Sequence, residues 1–335
     1  IYQFNEKYAP YAGVSVTSLF ENNRHMEKIR VFLLGEGLSK DSRRRFDLLG
    51  KRYGREFVFI DTRELEERMR DMGLPPYRGS YAANMRLFLP SFLDDTVDRL
   101  LYLDADTIVT DCLDELVGMD MGEYPLAMAL DSVISDARKY LGIPVEQAYY
   151  NSGVILFQLK KWKEDKLSDN IANYIQNNRA NFSSPDQDLL NLVCGGRILT
   201  LGPQYNLQPM HLAFEAKDYY RHYLRASYYP CEAVEEGKKH PVIIHFFRFM
   251  GEFPWHKDNV HPDNDIFDYY LRKSEWSDYI KRPADTNLFM KIEKKLYCFL
   301  PGKLFLTIFR HAHAYLAWRT ERAVRNGGYY KIYQG

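Results

Sequence analysis

The stretch Arg99-Leu-Leu-Tyr-Leu-Asp-Ala-Asp106 says more about the fold of this chain than any other stretch. After Arg99, residues 100–103 form a short apolar run, which is typical of a strand buried on both faces of a sheet. Two aspartates separated by one residue follow directly. Because ligands of parallel α/β sheets bind beyond the carboxyl ends of the strands, the stretch predicts a polar site at the end of a buried strand.

Similar apolar runs alternate with helical patterns on either side of this stretch. The helix predicted at 39–51 has Ser39 as its N-cap and Asp41 in its first turn. This alternation predicts an α/β domain with a mostly parallel central sheet flanked by helices. The polar, Tyr-rich segment 218–239 is interpreted as a variable loop region. The predicted strands are 29–34, 57–60, 99–103, 125–130, 153–157 and 241–246, and the other predicted helices are 81–92, 160–178 and 186–193.

Length, charge and cysteine content exclude several classes of protein. The 335 residues allow one large domain with a modest extension, and a formal net charge of zero disfavours a nucleic-acid binder. The four cysteines lie far apart with no Cys-x-x-Cys pair, which argues against a zinc site or a disulfide scaffold and favours a reducing compartment. No apolar run reaches the roughly 18 residues that span a bilayer. No signal peptide is visible, and because the chain opens at Ile1 without Met, we expect its natural start to lie upstream.

The last fifty residues differ from the rest, which divides the chain into a main domain at 1–280 and an extension at 285–335. The extension has nine Lys or Arg and three Asp or Glu, interleaved with aromatic and aliphatic residues. One interpretation is a helical appendage that lies on an anionic membrane surface. The other is a helical hairpin packed on the main domain with a solvated basic face. The sequence leaves both open.

Asp104 and Asp106 can together chelate one hard divalent cation. The diphosphate of a nucleotide-sugar needs such a cation, which neutralises its charge and stabilises the departing nucleotide. His245 ends the strand predicted at 241–246, and an imidazole beside two carboxylates fits Mn²⁺ better than the alternative, Mg²⁺. A lone histidine at a strand end is more often a hydrogen-bonded structural residue, so its surroundings must decide.

An aspartyl phosphatase is a rival interpretation, since it also has two aspartates in this spacing after an apolar strand. That motif usually continues with Thr or Val two residues beyond the second Asp. Here Ile108 occupies that position and Thr107 comes one residue too early. The phosphatase is therefore disfavoured.

Six motifs in a fixed order resemble family 8 of the glycosyltransferases, the retaining group that includes bacterial lipopolysaccharide galactosyl- and glucosyltransferases and glycogenin. The resemblance covers residues 1–280, and the ordered set is far more specific than the two aspartates alone. The motifs are Tyr8-Ala-Pro10, Arg86, Tyr102-Leu-Asp-Ala-Asp106, Tyr150-Asn-Ser-Gly-Val154 with Lys161-Trp162, Asp186-Gln-Asp188 with Leu190-Asn191, and His245-Phe246 to Pro254-Trp255.

The resemblance implies a GT-A nucleotide-diphospho-sugar transferase fold with Mn²⁺ as the cofactor and a UDP-sugar as the donor. It implies three metal ligands, Asp104, Asp106 and His245. It further implies a uridine site at Gln3, Asn5 and Tyr8, a diphosphate-closing loop at Gly251, and catalytic or sugar-contacting residues beside the anomeric carbon. The residues matched to donor binding are Gln3, Asn5, Tyr8, Arg86, Asp104, Ala105, Asp106, Asn151, Ser152 and Gly251, and those matched to catalysis are Asp131, Asp186 and Gln187.

The reaction implied is transfer of Glc or Gal from the UDP-sugar to a hydroxyl of a glycan or lipid-linked acceptor. The anomeric configuration of the sugar is retained. Such a hexosyltransferase would serve lipopolysaccharide or cell-surface polysaccharide biosynthesis, in the cytoplasm or at the inner face of the plasma membrane, without a nucleic-acid partner. Asp186 or Gln187 could attack the sugar in a double displacement, but Gln is a poor nucleophile. A front-face route, in which the leaving phosphate helps deprotonate the acceptor, is more economical. Two rivals are a nucleotide-sugar-binding protein with little catalysis and glycogenin-like self-glucosylation on Tyr.

Two departures from the family pattern affect the donor site. Asn5 lies where family members commonly have Asp, which keeps an acceptor for the uracil N–H but loses its charge. Phe253 replaces the Lys that binds the diphosphate, in a stretch that is longer than usual. Arg248 and Lys257 are the candidates to supply that charge instead.

Overall fold

The computed structural model describes residues 1–74, 76, 80–91, 93–133, 138, 142–144, 146–177, 185–222 and 228–325. Nine strands lie in this part of the chain, and most coincide with the predicted apolar runs. They are β1 (Tyr2–Asn5), β2 (Arg30–Glu36), β3 (Glu56–Phe59), β4 (Arg99–Leu103), β5 (Thr107–Val109), β6 (Leu126–Leu130), β7 (Tyr150–Gln158), β8 (Ile198–Thr200) and β9 (Ile243–His245).

Seven of these strands follow one another across the molecule in the order β3-β2-β1-β4-β7-β6-β8. Ile1 joins the two halves, because its backbone N donates to Leu101 O at 2.7 Å and its O accepts from Leu103 N at 3.0 Å. All neighbours run parallel except β7, which is antiparallel to both β4 and β6. The mostly parallel sheet is therefore confirmed. A separate antiparallel pair, β5 with β9, lies beyond the end of β4.

Both faces of this sheet are covered, as the apolar run in β4 predicts. Leu103 belongs to one hydrophobic core, with Val154 and Trp255. Its neighbour Tyr102 points to the other core, with Ile155 on β7. Successive side chains of a strand alternate between faces, so a strand with a core on each side has no polar face.

Thirteen α-helices surround the sheet in the described residues, with short 3₁₀ helices at Glu6–Tyr8, Ala82–Leu87, Leu89–Ser91 and Pro203–Tyr205. The α-helices are α1 (Ala9–Asn22), α2 (Lys40–Tyr53), α3 (Arg63–Asp71), α4 (Asp114–Gly118), α5 (Leu159–Glu164), α6 (Leu167–Asn177), α7 (Pro185–Val193), α8 (Pro209–Ala213), α9 (Ala216–His222), α10 (Cys231–Lys239), α11 (Asn264–Lys273), α12 (Leu288–Phe299) and α13 (Gly302–Arg325).

Helix α2 confirms its predicted cap, because the Ser39 side-chain oxygen accepts from Ser42 N at 3.1 Å. Two other helix predictions were wrong in detail. The segment predicted as one helix at 81–92 forms two short 3₁₀ helices, Ala82–Leu87 and Leu89–Ser91, and residue 92 lies outside the described part. Pro90 lacks the backbone N–H that a continuous α-helix would need at this position. The helix predicted at 160–178 breaks at Lys166, where φ is +52°.

The segment predicted as a loop at 218–239 is the third correction. It contains most of α9 and all of α10, while residues 223–227 lie outside the described part. Its few apolar side chains face inward, with Tyr219 and Val234 fully buried. A short helix with one narrow buried stripe is polar on average, so composition alone suggested a loop.

The C-terminal extension is helical, as expected, and α12 and α13 form a hairpin on the main domain. Phe305 and Leu306 are fully buried, and the Phe305 ring stacks on Phe214 with centroids 5.8 Å apart. They belong to a third hydrophobic cluster with Phe249 and Met250. None of the described helices is both long enough and apolar enough to cross a membrane.

Candidate active site

Asp104 lies directly beyond the carboxyl end of β4, where the sequence predicts a polar site. Its backbone N donates to Gly153 O on β7 at 2.8 Å, which fixes the start of the turn. Its Oδ1 accepts from the Arg86 guanidinium at 2.8 Å and from the Tyr102 hydroxyl. One carboxylate oxygen is thus held by two donors, and the other, Oδ2, faces His245.

The pairing of β5 with β9 brings His245 to the two aspartates. Thr107 lies opposite His245 in the register, and Phe246 N donates to Asp106 O at 2.7 Å. The His245 Nε2 is 3.2 Å from Asp106 Oδ1 and 3.7 Å from Asp104 Oδ2. One ligand atom from each of the three residues lies within 4.8 Å of the others, and two carboxylates with one imidazole fit a divalent cation.

Asn206 orients the His245 ring. The Asn206 amide Nδ2 donates to Asn151 Oδ1 at 2.9 Å, so its own Oδ1 faces His245 Nδ1 at 3.1 Å and needs a donor there. With the proton on Nδ1, the Nε2 lone pair points towards the carboxylates. A metal-binding histidine commonly donates its other ring N–H to an oxygen in this way. Without a cation, burial lowers the pKa of His245, but the charges of Asp106 and Asp104 outweigh it and raise that pKa.

Gly153 provides the space for the same ring. A Cβ at this position would lie 2.0 Å from His245 Cε1 and 2.5 Å from its Nδ1. Gly153 lies within β7 and is not among the glycines with positive φ, so it is not needed for left-handed backbone. Its requirement is the close approach of the imidazole.

Arg86 lies in the Ala82–Leu87 helix and is 4% exposed, so it is not an ordinary surface arginine. Its guanidinium contacts Asp104, the Ser152 carbonyl and, at 3.2 Å, Asp186 Oδ2. It also lies 4.2 Å from the centre of the Tyr102 ring. Burial lowers the pKa of Arg86, yet the two carboxylates raise it overall, so the group remains a cation.

The residues matched to the sugar and to catalysis form one connected polar chain. Asp131 Oδ2 accepts from Gln187 Nε2 at 2.7 Å and from Asn151 Nδ2 at 3.3 Å. Gln187 Oε1 accepts from Ser152 N at 3.0 Å, and the Ser152 hydroxyl donates to Asp186 Oδ2 at 3.0 Å. The chain continues through Arg86 to Asp104 at one end and through Asn206 to His245 at the other.

Both buried carboxyl groups in this chain have raised pKa values. Burial raises the pKa of Asp131, opposed by hydrogen bonds from Val133 N and the Gln187 amide. Burial likewise raises the pKa of Asp186, opposed chiefly by the Arg86 charge. Carboxyl groups with shifted pKa values beside a candidate cation site are typical of an active site.

The three residues matched to uridine lie at the carboxyl end of β1, which is beside β4. Gln3 Nε2 donates to Ala83 O at 2.7 Å, and its Oε1 is buried with no hydrogen-bond partner among the described residues. Asn5 caps the Glu6–Tyr8 helix by accepting from Lys7 N at 3.1 Å. Tyr8 packs edge-on to Trp255 with centroids 6.0 Å apart. Uridine binding by these residues remains a prediction, as does the donor contact of Ala105, which is almost fully buried in the core.

The sequence model of glycosyl transferase family 8 matches residues 1–259. The chain belongs to glycosyltransferase family 8. It is 23% identical to general stress protein A of Bacillus subtilis, over 82% of this chain and 92% of that protein. It is 26% identical to a lipopolysaccharide 1,2-glucosyltransferase of Escherichia coli, over 88% of this chain and 82% of that protein. It is 24% identical to a lipopolysaccharide 1,3-galactosyltransferase of Salmonella typhimurium, over 79% of this chain and 75% of that protein.

Solved structures support the fold of this family 8 member. The galactosyltransferase LgtC, solved with donor and acceptor sugar analogs, has a TM-score of 0.65 at 22% identity and covers 82% of this chain and 95% of its own. The bifunctional glycosyltransferase WbbM has a TM-score of 0.66 at 19% identity, over 83% of this chain and 50% of its own. The expected GT-A fold is thus confirmed.

Gly251 occupies a tight turn in this family 8 chain. Phe249 N donates to Glu252 O at 2.8 Å and Glu252 N to Phe249 O at 2.9 Å, with φ of +49° at Met250 and +81° at Gly251. Two positive φ values in the centre of a hydrogen-bonded turn define type I′, which favours Gly. The turn is buried, and a Cβ on Gly251 would lie 3.0 Å from side-chain atoms of Met290 and Thr286 in the extension. Donor binding by Gly251 stays a prediction.

Phe253, which lies where the family pattern has a lysine, and its neighbour Arg248 contact other parts of the protein. Phe253 stacks on Trp255 with centroids 4.4 Å apart and ring planes 8° apart. The Arg248 Nε donates to Gly251 O at 3.0 Å, and its guanidinium is 3.4 Å from Asp285 O. Lys257 is exposed. Phe253 is thus part of an aromatic stack, and a diphosphate contact of Arg248 or Lys257 stays a prediction.

The sequence did not predict that Asn206 contacts His245 or that Gly153 makes room for the His245 ring. Asn206 is fully buried and lies 39 residues from His245 in sequence, within Gln204-Tyr-Asn-Leu207. No spacing or motif marks it, because only the folded chain brings its amide to the ring. An alignment that showed an invariant polar residue here would be the sequence signal.

Proposed function

We propose that this family 8 enzyme transfers Glc or Gal from a UDP-sugar to an acceptor hydroxyl and retains the anomeric configuration. The observation that carries the proposal is the cluster of Asp104, Asp106 and His245, where the two ends of the polar chain through Asp186 and Asn206 meet. These three residues would hold Mn²⁺, with Mg²⁺ as the alternative. The cation would neutralise the diphosphate and stabilise the charge on departing UDP.

Arg86 is proposed to bind the donor diphosphate and sugar from the side opposite His245. Its buried, permanently charged guanidinium already holds Asp104 and Asp186 in place. A fixed cation in a water-poor site stabilises developing negative charge without reorganising. Arg86 would therefore act both on the leaving group and on the position of one metal ligand.

Asp131, Asn151 and Gln187 are proposed to orient the donor sugar. The Gln187 amide is held at both ends, by Ser152 N and by Asp131, which fixes its orientation beside the reacting carbon. Asp186 is tied to Arg86 and to the Ser152 hydroxyl. A carboxylate held by two donors and a neutral amide are both poor nucleophiles, which favours the front-face route over a double displacement.

The acceptor is proposed to be a glycan or lipid-linked sugar of lipopolysaccharide or another cell-surface polysaccharide, as the names of two relatives suggest. Two tyrosines of the segment 218–239, which was interpreted as a variable loop region, are buried inside the protein. Tyr219 donates to the Ser132 carbonyl, and the Tyr229 hydroxyl donates to Leu201 O at 2.6 Å. Their hydroxyl groups thus hold the backbone at Ser132 and Leu201, and both side chains are buried.

The outer face of the α12–α13 hairpin is proposed to lie on an anionic membrane at the cytoplasmic face, where a lipid-linked acceptor would be met. Large apolar side chains are exposed here, and basic residues such as Lys291, Lys303 and Arg319 lie among them. Apolar area with basic flanks is the pattern of interfacial helices. The exposed apolar residues are Leu288 at 74%, Ile292 at 49%, Phe299 at 83%, Leu304 at 49%, Ile308 at 39%, Tyr315 at 59% and Trp318 at 52%.

A donor-hydrolysis screen of UDP-Glc, UDP-Gal and UDP-GlcNAc with and without Mn²⁺ tests the reaction. We expect Asp104→Asn and Asp106→Asn to lower Mn²⁺-dependent turnover about 100-fold or more, since the cation supplies several kcal/mol of charge stabilisation. Asp111→Asn, at an exposed aspartate five residues further on, is the control and should retain activity. Full activity in either site variant would remove the metal assignment.

Two outcomes of the same screen would favour the rival functions. Mn²⁺-dependent UDP-sugar binding without turnover would indicate a binding protein. Hexose added to the chain itself, detected by mass spectrometry after incubation with UDP-Glc, would indicate self-glucosylation.

Vesicle flotation tests the membrane contact. The wild-type protein should float with vesicles containing anionic lipid and far less with neutral ones, and salt should weaken this binding. Phe299→Ser together with Leu288→Ser should abolish flotation. Ile280→Ser, which changes an equally exposed side chain outside the hairpin, should not. Equal flotation of all variants would reject the hairpin as the contact surface.

A further inference from the structure

The loop between His245 and Trp255 borders the proposed donor site at both ends. At its start, the Phe247 ring packs edge-on to His245 with centroids 5.1 Å apart. At its end, Trp255 stacks on Tyr11 at 3.7 Å and meets the edge of Tyr8. The position of this loop therefore affects both the candidate metal ligand and one wall of the proposed uridine site.

The tip of this loop is covered by α12 of the extension. Gly251 lies against Met290, and the Tyr297 ring meets Phe249 edge-on with centroids 5.1 Å apart. An ion pair adds to these contacts, since Lys294 Nζ is 2.8 Å from Glu252 Oε1. Lys294 also donates to the Asp258 carbonyl at 2.7 Å, so it joins two points of the main domain.

The burial of Glu252 makes this ion pair important for the position of the loop. Its side chain is only 7% exposed, and its second oxygen accepts from Val260 N at 3.2 Å. A nearly buried carboxylate is costly without its cation, so the loop is most stable where Lys294 can reach it. Phe249 and Glu252 close the type I′ turn at Met250 and Gly251 with two backbone hydrogen bonds, so Glu252 lies at the base of the loop tip.

We propose that α12 is a positioning element for donor binding and that Lys294, through Glu252, holds the loop after His245 in the arrangement that binds the nucleotide. The inference rests on the proposed function, because it concerns the same donor site. It gives the C-terminal extension a role in the reaction that is separate from any contact with a membrane.

The test compares two neighbouring lysines, with each variant made in the 335-residue chain. Lys294→Met removes the ion pair and keeps most of the apolar stem, whereas Lys295→Met changes an exposed lysine on the same helix. Without lipid, Lys294→Met should weaken Mn²⁺-UDP binding in calorimetry about fivefold, which corresponds to about 1 kcal/mol. It should raise the donor KM and leave the acceptor KM unchanged. Lys294→Arg should restore binding, and Lys295→Met should match the wild type.

Hydrogen exchange of residues 246–253 provides a readout that does not need the reaction. Lys294→Met and Glu252→Gln should both speed exchange in this segment, and Lys295→Met should not. If wild-type protein binds no UDP, the proposed function fails while the exchange still reports whether α12 holds the loop. Unchanged exchange and unchanged UDP affinity in Lys294→Met would overturn the inference, as would an equal rise of donor and acceptor KM.

Discussion

Replacing Gly153 with Ala should disable the candidate metal site with little change to the rest of the fold. The new Cβ would lie 2.0 Å from His245 Cε1, whereas ordinary contact begins at 3.4 Å. The ring must therefore move about 1.4 Å, because β7 lies between β4 and β6 and is buried at every residue but its last. Metal–ligand distances tolerate deviations of about 0.2 Å, so this shift removes the imidazole from the coordination shell.

We expect Mn²⁺ affinity to fall about 100-fold, at the upper end of what a disturbed ligand environment causes. The free energy of unfolding should fall by about 1–3 kcal/mol, which is typical of one extra methyl in a packed core. Electron paramagnetic resonance of free Mn²⁺ during a titration measures the affinity, and urea unfolding measures the stability.

A double-mutant cycle with His245→Ala separates the steric clash from a general weakening. Without the imidazole the extra methyl has room, so Gly153→Ala should add little further loss of Mn²⁺ affinity in that background. Losses that add in full would mean that the methyl acts elsewhere. Wild-type Mn²⁺ binding and turnover in Gly153→Ala itself would refute the reasoning.

Three further predictions follow from the same contacts. Asn206→Ala should weaken Mn²⁺ binding about 10- to 100-fold in the same titration, since it frees the His245 tautomer, and a change under twofold would reject that role. Arg86→Lys should lower kcat and kcat/KM by at least about 10-fold, because one ammonium nitrogen replaces the three guanidinium nitrogens that contact Asp104, Asp186 and the Ser152 carbonyl; wild-type kinetics would contradict this. His211 is buried, its Nδ1 accepts from Gln208 N at 3.1 Å, and burial lowers its pKa to about 3 from 6.5. Below pH 6.5 the unfolded chain therefore binds a proton on His211 that the native state does not bind. The free energy of unfolding falls as the pH drops from 6.5 towards about 3. Between pH 7 and 5 the wild type should lose about 2 kcal/mol more than His211→Gln in urea unfolding; equal losses would reject the assignment.

Local signals were sufficient where the chemistry is local. The strand predicted at 99–103 has the same bounds in the structure. The N-cap of α2 is Ser39, as predicted. The helix break at Lys166 was not foreseen, because tertiary packing overrides the weak preferences of single residues. The two short helices at 82–91 were missed although Pro90 is a local signal against one continuous helix. The buried helices in 218–239 were missed for the related reason that a narrow apolar stripe barely changes composition.

The sequence by itself determined the α/β class, the end of β4 as the candidate site and, through its ordered motifs, membership of family 8 with Asp104, Asp106 and His245 as the candidate ligands. These follow from residue type, order and short spacing. Only the tertiary structure decided that Gly153 makes room for the His245 ring, that Asn206 sets its tautomer and that α12 covers the loop after it. Each of these joins segments distant in sequence, and such contacts depend on how strands and helices pack rather than on any local pattern.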